Sequence, residues 1–385
     1  MRHVIYLDHA ATTPLAPEAW TAMRPWLEPG GGYGNPASAH AAGRQALAAV
    51  EAARAQVAAL VGAQPEEIVW TSGATESNNL AIKGAVEFHA RGRAHVITSR
   101  IEHRCVLDTC RWLEGARNVR VTYLQPDRLG RIEPQQVIDA LSPETVLVSL
   151  MWANNEIGNL TDIPALAPQL RERGVMLHVD AAQAAGKVAI DLCAVPVDLL
   201  SLSAHKLGGP KGVGALFVRR RPRARVAPLL HGGGHEWGMR SGTLATHQVV
   251  GMGAAFASLP VDFSERTTHL RERLWQRLAM LPGVQRNGDA RQAAPHILNL
   301  SFDGVEGESL RAALFDVAVS SGAACSSATA EPSYVLRALG RNDELANASL
   351  RFSFGRTTCE ADIDAAAARV EHEVLRLRAL SPLTN

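Results

Sequence analysis

The sequence predicts an α/β protein, with a mostly parallel sheet in a large domain that is joined to a smaller α+β domain. Short β-branched runs alternate with helical stretches through the middle of the chain, and such alternation favours parallel pairing. Several of these runs are apolar on both alternating faces, as expected of strands that helices cover on each side. The alternation ends near Pro260, which predicts that a second domain begins there.

Seven runs are predicted to form the strands of the large sheet. They are 67–71, 95–98, 119–123, 145–150, 175–179, 198–202 and 214–218. Helices are predicted between most of them, for example over 78–90 and over 163–173, where Pro164 fits the first helical turn. A further buried helix is predicted over 249–259.

The region after Pro260 has a different order of elements. It is predicted to contain a charged helix over 265–281, a strand over 297–302, a helix over 307–315, a loop of small residues over 320–330, a strand over 350–354 and a final helix. Thr357 and Glu360 have the spacing of a capping box, which predicts the start of that helix. We expect the large domain to comprise residues 15–262 and the small domain residues 1–14 and 263–385.

Composition limits the classes of function. The chain has 385 residues, of which 46% are hydrophobic and 20% charged, and these values exclude a disordered chain. Lys and Arg exceed Asp and Glu by 39 − 38 = +1, so we expect no bulk electrostatic capture of nucleic acid or of a membrane. The longest uncharged run, 241–261, contains His247 and Pro260 and fails as a membrane span.

The cysteines indicate the compartment. They are Cys105, Cys110, Cys193, Cys325 and Cys359, an odd number without a C-x-x-C pair. This pattern suits reduced thiols better than a disulfide framework or a zinc site. The N-terminal residues do not have the pattern of a secretory signal peptide, because the acidic residue Asp8 lies where such a peptide has its apolar stretch. We therefore expect a cytoplasmic protein.

Polar residues follow several of the predicted strands. Asp180 ends the fifth strand, and Ser203, His205 and Lys206 end the sixth. The turn 71–75 follows the first strand and opens a helix. Because ligands of parallel α/β sheets bind beyond the carboxyl ends of the strands, we expect these side chains to meet at one edge.

A lysine and an aspartate at neighbouring strand ends suit pyridoxal phosphate. A lysine can form a Schiff base with this cofactor, and a carboxylate near the pyridine nitrogen keeps the ring protonated and electron-withdrawing. The turn 72–75 offers a phosphate free N–H groups and a helix dipole. Each feature alone has an ordinary alternative, since Lys206 would otherwise be a surface residue and Asp180 a turn residue or cap. The three together favour the cofactor.

Several segments resemble those of the cysteine desulfurases, the sulfur-mobilising branch of the class V aminotransferase family. The segments are 71–78 (TSGATESN), 178–183 (HVDAAQ), 201–206 (SLSAHK), 240–243 (RSGT) and 320–325 (SSGAAC). The resemblance extends from 6–14 to 381–383 and is closest to the iron–sulfur-assembly type, which has a long catalytic-cysteine loop. It implies fold type I of the pyridoxal-phosphate-dependent transferases.

The resemblance implies a role for each residue around the cofactor. Lys206 would hold pyridoxal phosphate as a Schiff base, and Asp180 would pair with the ring nitrogen. Gln183 would bond the ring hydroxyl. By the same analogy, Thr243 would reach the phosphate of the neighbouring subunit, so the active unit would be a homodimer. The other cofactor-binding residues would be Ala74, Thr75, Asn155, Ser203 and His205.

Three further residues would handle the substrate, L-cysteine. The resemblance implies that His103 stacks on the cofactor and that either His103 or Lys206 removes the substrate α-proton. Imidazole suits proton transfer near neutral pH, although a single histidine is more often a cap or surface residue. Arg351 would clamp the substrate carboxylate with its guanidinium fork, and Asn155 would position the same substrate.

Cys325 decides the reaction that the resemblance implies. It lies among small residues in 320–330, whereas a structural cysteine prefers a packed core. Its thiolate would take the substrate sulfur as a persulfide and leave L-alanine, and the persulfide would pass to acceptors for iron–sulfur cluster assembly or thiolation. The other four cysteines are predicted to be structural.

The sequence leaves partner binding undecided at two segments. The segment 219–225 has five arginines, which form either a solvated face or a docking patch for acidic sulfur acceptors. Housekeeping relatives continue beyond a segment like 381–383 into a tail that docks the iron–sulfur scaffold protein. The resemblance therefore implies the desulfurase reaction but does not decide whether this chain docks the scaffold protein. His231 and His235 lack the further ligands of a metal site, and we expect none there.

Other functions remain as alternatives. A selenocysteine lyase would use the same residues with another substrate, whereas an aminotransferase of small amino acids has no use for Cys325. A sulfur carrier or scaffold protein would bind partners without turnover. A nicotinamide dehydrogenase fits least, because no G-x-G-x-x-G follows the first strand.

Overall fold

The computed structural model describes residues 4–90, 92–321 and 331–380. The helices are α1 (Pro17–Met23), α2 (Ala41–Leu60), α3 (Ala74–His89), α4 (Arg104–Arg117), α5 (Pro134–Asp139), α6 (Ile163–Glu172), α7 (Thr246–Ala257), α8 (Phe263–Leu278), α9 (Gly307–Ala313), α10 (Tyr334–Ala338), α11 (Asp343–Asn347) and α12 (Glu360–Leu380). The strands are β1 (Ile5–Tyr6), β2 (Ile68–Thr71), β3 (His95–Ser99), β4 (Arg120–Leu124), β5 (Thr145–Met151), β6 (Met176–Asp180), β7 (Leu199–Ser203), β8 (Gly214–Val218), β9 (Val284–Asn287), β10 (Ile297–Phe302), β11 (Val317–Ala318) and β12 (Ser349–Ser353).

The large sheet contains seven strands within the described residues, in the order β2-β8-β7-β6-β5-β3-β4. From β7 to β4 the neighbouring strands are parallel. Strand β8 is antiparallel to both of its neighbours, β2 and β7. Each of the seven predicted strands is present within about one residue of its predicted ends, so the mostly parallel α/β fold is confirmed.

Both faces of this sheet are buried. Successive residues of β8 belong to two different hydrophobic clusters, with Ala215 and Phe217 in one and Leu216 and Val218 in the other. The pleat of a strand sends alternate side chains to opposite faces, so apolar residues at every position require helices on both sides. This burial leaves the carboxyl ends of the parallel strands as the place where polar side chains collect.

A second region follows α7. Strand β10 pairs antiparallel with β9 and β12, and α8 and α12 contribute to a separate hydrophobic cluster with β10 and β12. The N-terminal segment belongs to this region as well, since β1 pairs with β11 and Leu7 lies in the same cluster. These pairings support the division of the chain at residues 14 and 262, which stays a prediction.

Two of the sequence expectations differ in detail from the structure. Helix α12 begins at Glu360, so Glu360 is its first residue and the predicted capping box at Thr357 is wrong. Asp362 takes the capping role instead, because its carboxylate accepts the backbone N–H of Cys359 at 2.9 Å. The predicted helix 249–259 is α7, which starts three residues earlier than predicted. Among the described residues, no helix combines the length and the apolar character that crossing a bilayer requires.

Candidate active site

Most of the predicted site residues line one cavity of about 500 Å³ at the carboxyl ends of the parallel strands. The residues that share this wall are Ala74, Thr75, His103, Asn155, Asp180, Gln183, Ser203, His205, Lys206 and Arg351. They come from the ends of β2, β3, β5, β6 and β7, and Arg351 comes from β12 of the second region. The structure therefore brings together side chains that are far apart in the sequence.

Asp180 provides a fixed carboxylate at the end of β6. It is buried, and its Oδ1 accepts the backbone N–H of Ala182 at 2.9 Å. Its Oδ2 accepts Asn78 Nδ2 at 2.7 Å. The hydrogen bonds on both oxygens hold the carboxylate in one orientation, as a partner for a protonated ring nitrogen requires.

The turn between β2 and α3 presents the N-terminus of a 16-residue helix to the cavity. The first N–H groups of a helix have no partner within the helix, and they carry the positive end of its dipole. Gly214 allows the turn to lie close to β8, since a Cβ at that position would stand 2.6 Å from the Cα of Gly73. This arrangement fits a phosphate.

Lys206 lies beyond β7 in a turn that is hydrogen-bonded to the N-terminal segment. The backbone N–H and the hydroxyl of Thr13 both donate to the carbonyl of His205, at 2.9 and 2.8 Å. The Nδ1 of His205 is 3.1 Å from the hydroxyl of Thr12, which also lines the cavity. Burial, followed by the charges of Lys206 and Lys211, lowers the pKa of His205 to about 4, so this ring is neutral near pH 7.

Arg351 is buried in the cavity wall and holds two partners. Its Nη1 donates to the carbonyl of Asn155 at 2.8 Å, and its Nη2 donates to the Asp8 carboxylate at 2.7 Å. Its Nε and the Oδ1 of Asn155 are buried, and neither has a hydrogen-bond partner among the described residues. A buried unpaired donor of this kind is costly, and a carboxylate in the cavity would satisfy it.

Comparison with known proteins identifies the chain. The aminotransferase class-V family matches residues 5–366. The cysteine desulfurase IscS of Ectopseudomonas mendocina (strain ymp) is 57% identical over 387 residues, covering 100% of this chain and 96% of the relative. The chain belongs to the cysteine desulfurase family.

Solved structures of similar proteins agree with this membership. A structure described as SspA in complex with cysteine is 37% identical with a TM-score of 0.83, over 92% of this chain and 99% of the other. A NifS-like protein is 32% identical with a TM-score of 0.89, over 97% of this chain and 100% of the other.

Two predicted residues do not lie in the cavity as the structure describes it. Cys325, the expected sulfur acceptor of this desulfurase, lies outside the described residues. Residues near both ends of 322–330 are hydrogen-bonded beside the cavity wall. Ser320 exchanges backbone hydrogen bonds with Arg351, and Ser333 donates to Oε2 of Glu156, the neighbour of Asn155, at 2.5 Å. Thr243 is exposed and is absent from the wall of the cavity, and its predicted contact with a second subunit stays a prediction.

Sequence reasoning missed several residues that support the site. Gln183 donates to the carbonyl of Ala10, and its Oε1 accepts from Lys187 Nζ at 3.1 Å and contacts His296 Nε2 at 3.2 Å. Both of these partners are buried. No motif in the sequence marked either residue, because His296 lies 113 positions from Gln183 and the burial of Lys187, four positions from Gln183, depends on the tertiary fold.

A second missed residue is Glu76 in the first turn of α3. Its carboxylate accepts the backbone N–H of Ser72 at 2.7 Å and Arg240 Nε at 2.9 Å. Burial raises the pKa of Glu76, but the hydrogen bonds from Arg240 and Ser72 outweigh it, so the net shift is downward. The ion pair places the predicted segment 240–243 against the helix end that faces the cavity.

The prediction that the four other cysteines are structural is wrong for two of them, Cys193 and Cys359, whereas Cys105 packs against the hydrophobic cluster that contains Cys110. Cys110 is buried in a hydrophobic cluster, as expected. Cys193 and Cys359 are exposed, because they lie in a surface turn and just before α12. Cys105 lines the cavity.

The arginine segment 219–225 divides into two parts. Arg219 is structural, because its guanidinium donates to the carbonyls of Val197, Leu192 and Val195. Arg220, Arg221 and Arg223 are exposed, as both alternatives for this segment require.

Proposed function

We propose that this chain converts L-cysteine to L-alanine with pyridoxal phosphate and places the sulfur on Cys325 as a persulfide. One observation supports this function most directly. A single cavity joins a lysine, a fixed carboxylate, a helix N-terminus and a buried arginine whose Nε has no partner among the residues that the structure covers. An amino acid substrate and a phosphorylated pyridine cofactor need this combination of groups together.

The residues present fit the cofactor. Lys206 would attach it through Nζ, and the Asp180 carboxylate would face the ring nitrogen. Gln183 Nε2 has two hydrogens, of which one serves Ala10 and the other would serve the ring hydroxyl. Ala74, Thr75, Ser203 and His205 would surround the phosphate at the start of α3. When bound, pyridoxal phosphate supplies an electron sink that stabilises negative charge at the substrate Cα.

The substrate would bind through its carboxylate. The unpaired Nε of Arg351 and the side chain of Asn155 are the groups that would receive it. The similar structure of SspA in complex with cysteine supports L-cysteine as the substrate. Asp8 would keep the guanidinium in place while the substrate enters and leaves.

Proton transfer would depend on Lys206 and His103. Burial, followed by the charge of Lys206, lowers the pKa of His103, so its ring is neutral near pH 7. The free amine of Lys206 would serve as a base near the substrate Cα.

The sulfur would leave through Cys325. Its thiolate would attack the substrate sulfur and form an S–S bond, while the C–S bond breaks and its electron pair stays on the carbon that becomes the alanine methyl group. Protons then complete L-alanine. We propose that Cys325 next passes the persulfide sulfur to acceptors, including proteins of iron–sulfur cluster assembly.

The proposal includes the setting in which the enzyme works. Thr243 is exposed, as a residue that reaches a second subunit must be, and this supports a homodimer. The described cysteines are all free thiols, and this supports the reducing cytoplasm as the compartment.

The test is a product assay. Purified protein is incubated with pyridoxal phosphate, L-cysteine and a reductant, and alanine and sulfide are quantified. We expect equal amounts of both. Absence of alanine would contradict the proposal. A parallel incubation with L-selenocysteine that gives much faster alanine formation would point to a selenocysteine lyase.

A further inference from the structure

Cys105 lies next to His103 at the start of α4 and shares the wall of the cavity with it. Its Sγ is 3.0 Å from Nδ1 of His103 and 3.2 Å from Nδ2 of Asn78. The same Asn78 nitrogen donates to Asp180 Oδ2 at 2.7 Å. A continuous series of hydrogen bonds therefore links Asp180 to His103.

The backbone N–H of Cys105 and the chemistry of the side chains establish which atom donates and which accepts in each hydrogen bond of this series. The backbone N–H of Cys105 donates to Nδ1 of His103 at 3.2 Å, so Nδ1 is an acceptor and carries no proton. The contact between Sγ and Nδ1 then requires the thiol as the donor. Burial, followed by the charge of Asp180, raises the pKa of Cys105 to about 12, so the thiol keeps its proton near pH 7. The amide nitrogen of Asn78 has two hydrogens, one for the sulfur and one for Asp180.

We propose that Cys105 is a positioning residue that holds His103 in the tautomer with its proton on Nε2. This inference rests on the proposed function, in which His103 works beside the substrate. Because Nδ1 is occupied by Cys105, Nε2 offers an N–H and not a lone pair. His103 is thereby a hydrogen-bond donor, and Lys206 is the base that removes the substrate α-proton.

The charged groups around His103 come from three elements. Burial is the main cause of its lowered pKa, and Lys206 beyond β7 acts in the same direction. Asp180 in β6 and Asp108 in α4 oppose them. The thiol of Cys105 lowers the pKa of His103 further, because a donor that faces Nδ1 disfavours a second proton on the ring.

A second observation shows that the series is directed at a ligand. The Oδ1 of Asn78 is buried and has no hydrogen-bond partner in the part of the chain that the structure describes, and Asn78 lines the cavity. The amide is therefore held by its nitrogen, between Asp180 and Cys105, and its oxygen remains for a group in the cavity.

Nitrogen NMR of the holoprotein with ¹⁵N-labelled histidine tests the tautomer directly. His103 is assigned from the signals that vanish in His103→Gln. We expect the wild-type ring to be protonated at Nε2 only, and a proton on Nδ1 would overturn the proposal. In Cys105→Ala we expect the pKa of His103 to rise, and in Cys105→Ser we expect it to return toward the wild-type value. An unchanged pKa in Cys105→Ala would also overturn the proposal.

Kinetics give a second readout. We expect Cys105→Ala to lower kcat roughly fivefold, the factor expected from one ordinary hydrogen bond, with little change in KM. The acidic limb of the pH profile should move to higher pH, and Cys105→Ser should restore it. Cys110→Ala, on the same helix, is the control and should leave both the profile and the His103 signals unchanged. If the wild type forms no alanine, the proposed function fails, whereas the NMR result still decides the tautomer.

Discussion

The guanidinium of Arg351 donates to the carboxylate of Asp8 across 2.7 Å, and this ion pair joins β12 to the N-terminal segment at the cavity. Both side chains lie mostly out of solvent. The pair fixes the direction of the guanidinium, so in the proposed role of Arg351 this side chain would not have to be ordered when the substrate binds.

Replacement of Arg351 should affect substrate binding more than the chemical step. We expect Arg351→Gln to raise the KM for L-cysteine by roughly ten- to a hundredfold, because a hydrogen bond to a charged group is lost. Alanine formation at varied cysteine concentration measures this. Arg128→Gln, at an exposed site, is the matched control. An equal effect of both substitutions would show that Arg351 does not bind the substrate.

Lys206 should be the point of covalent attachment of the cofactor. We expect Lys206→Ala to lose the visible absorption band of the attached cofactor and to lose alanine formation. Borohydride treatment followed by mass spectrometry should find the cofactor on residue 206 of the wild type. Lys211 lines the same cavity, so Lys211→Ala is a close control and should retain the attachment. Attachment that survives in Lys206→Ala would mean that another lysine holds the cofactor.

Cys325 should accept the sulfur without holding the cofactor. We expect Cys325→Ala to keep the absorption band of the cofactor, because the residues of the cofactor cavity are unchanged. We expect the same variant to lose sulfide release, because the thiol that would accept the sulfur is absent. Sulfide and the band are measured on the same sample. Cys359→Ala is the control, since Cys359 is an exposed thiol that does not line the cavity. Sulfide release at the wild-type rate from Cys325→Ala would exclude Cys325 as the acceptor.

Glu156 should make the stability of the fold depend on pH. Burial is the main cause that raises its pKa from 4.5 to about 7, although Ser333 and Arg351 oppose the shift. The folded protein therefore holds a proton at Glu156 that the unfolded chain has lost, and the contribution of Glu156 to stability falls as pH rises from about 4.5 to about 7. The full effect is as much as about 3 kcal/mol.

The difference between wild type and Glu156→Gln isolates this effect. Urea unfolding at several pH values from about 5 to about 8 should show a weaker decline for the variant. Glu66→Gln, at an exposed carboxylate, should follow the wild type. Parallel curves for wild type and Glu156→Gln would contradict the prediction.

The sequence predicted the large sheet well, because strands buried on both faces leave continuous apolar runs that end in polar residues. Lys206 and Asp180 were visible for the same reason, since they stand directly after such runs. The partners Asp8, Lys187 and His296 could not be predicted in this way. Asp8 and His296 each contact a residue more than a hundred positions away, and no local pattern records such a contact. Lys187 contacts Gln183 only four positions away, but its burial depends on the tertiary fold. The role of Cys105 depends on distances to two other side chains, which only the structure supplies.

The pairing of β1 with β11 has a consequence for synthesis on the ribosome. Asp8 reaches the cavity in contact with Arg351, and the backbone N–H of Ala10 donates to Ser353 at 2.8 Å. Asp8 and Ala10 therefore gain these contacts only after residues 343 positions further along the chain have been synthesised. A nascent chain can form the large sheet early, but Arg351 joins the wall of the cavity only after β12 has been synthesised, so that wall is completed late in translation.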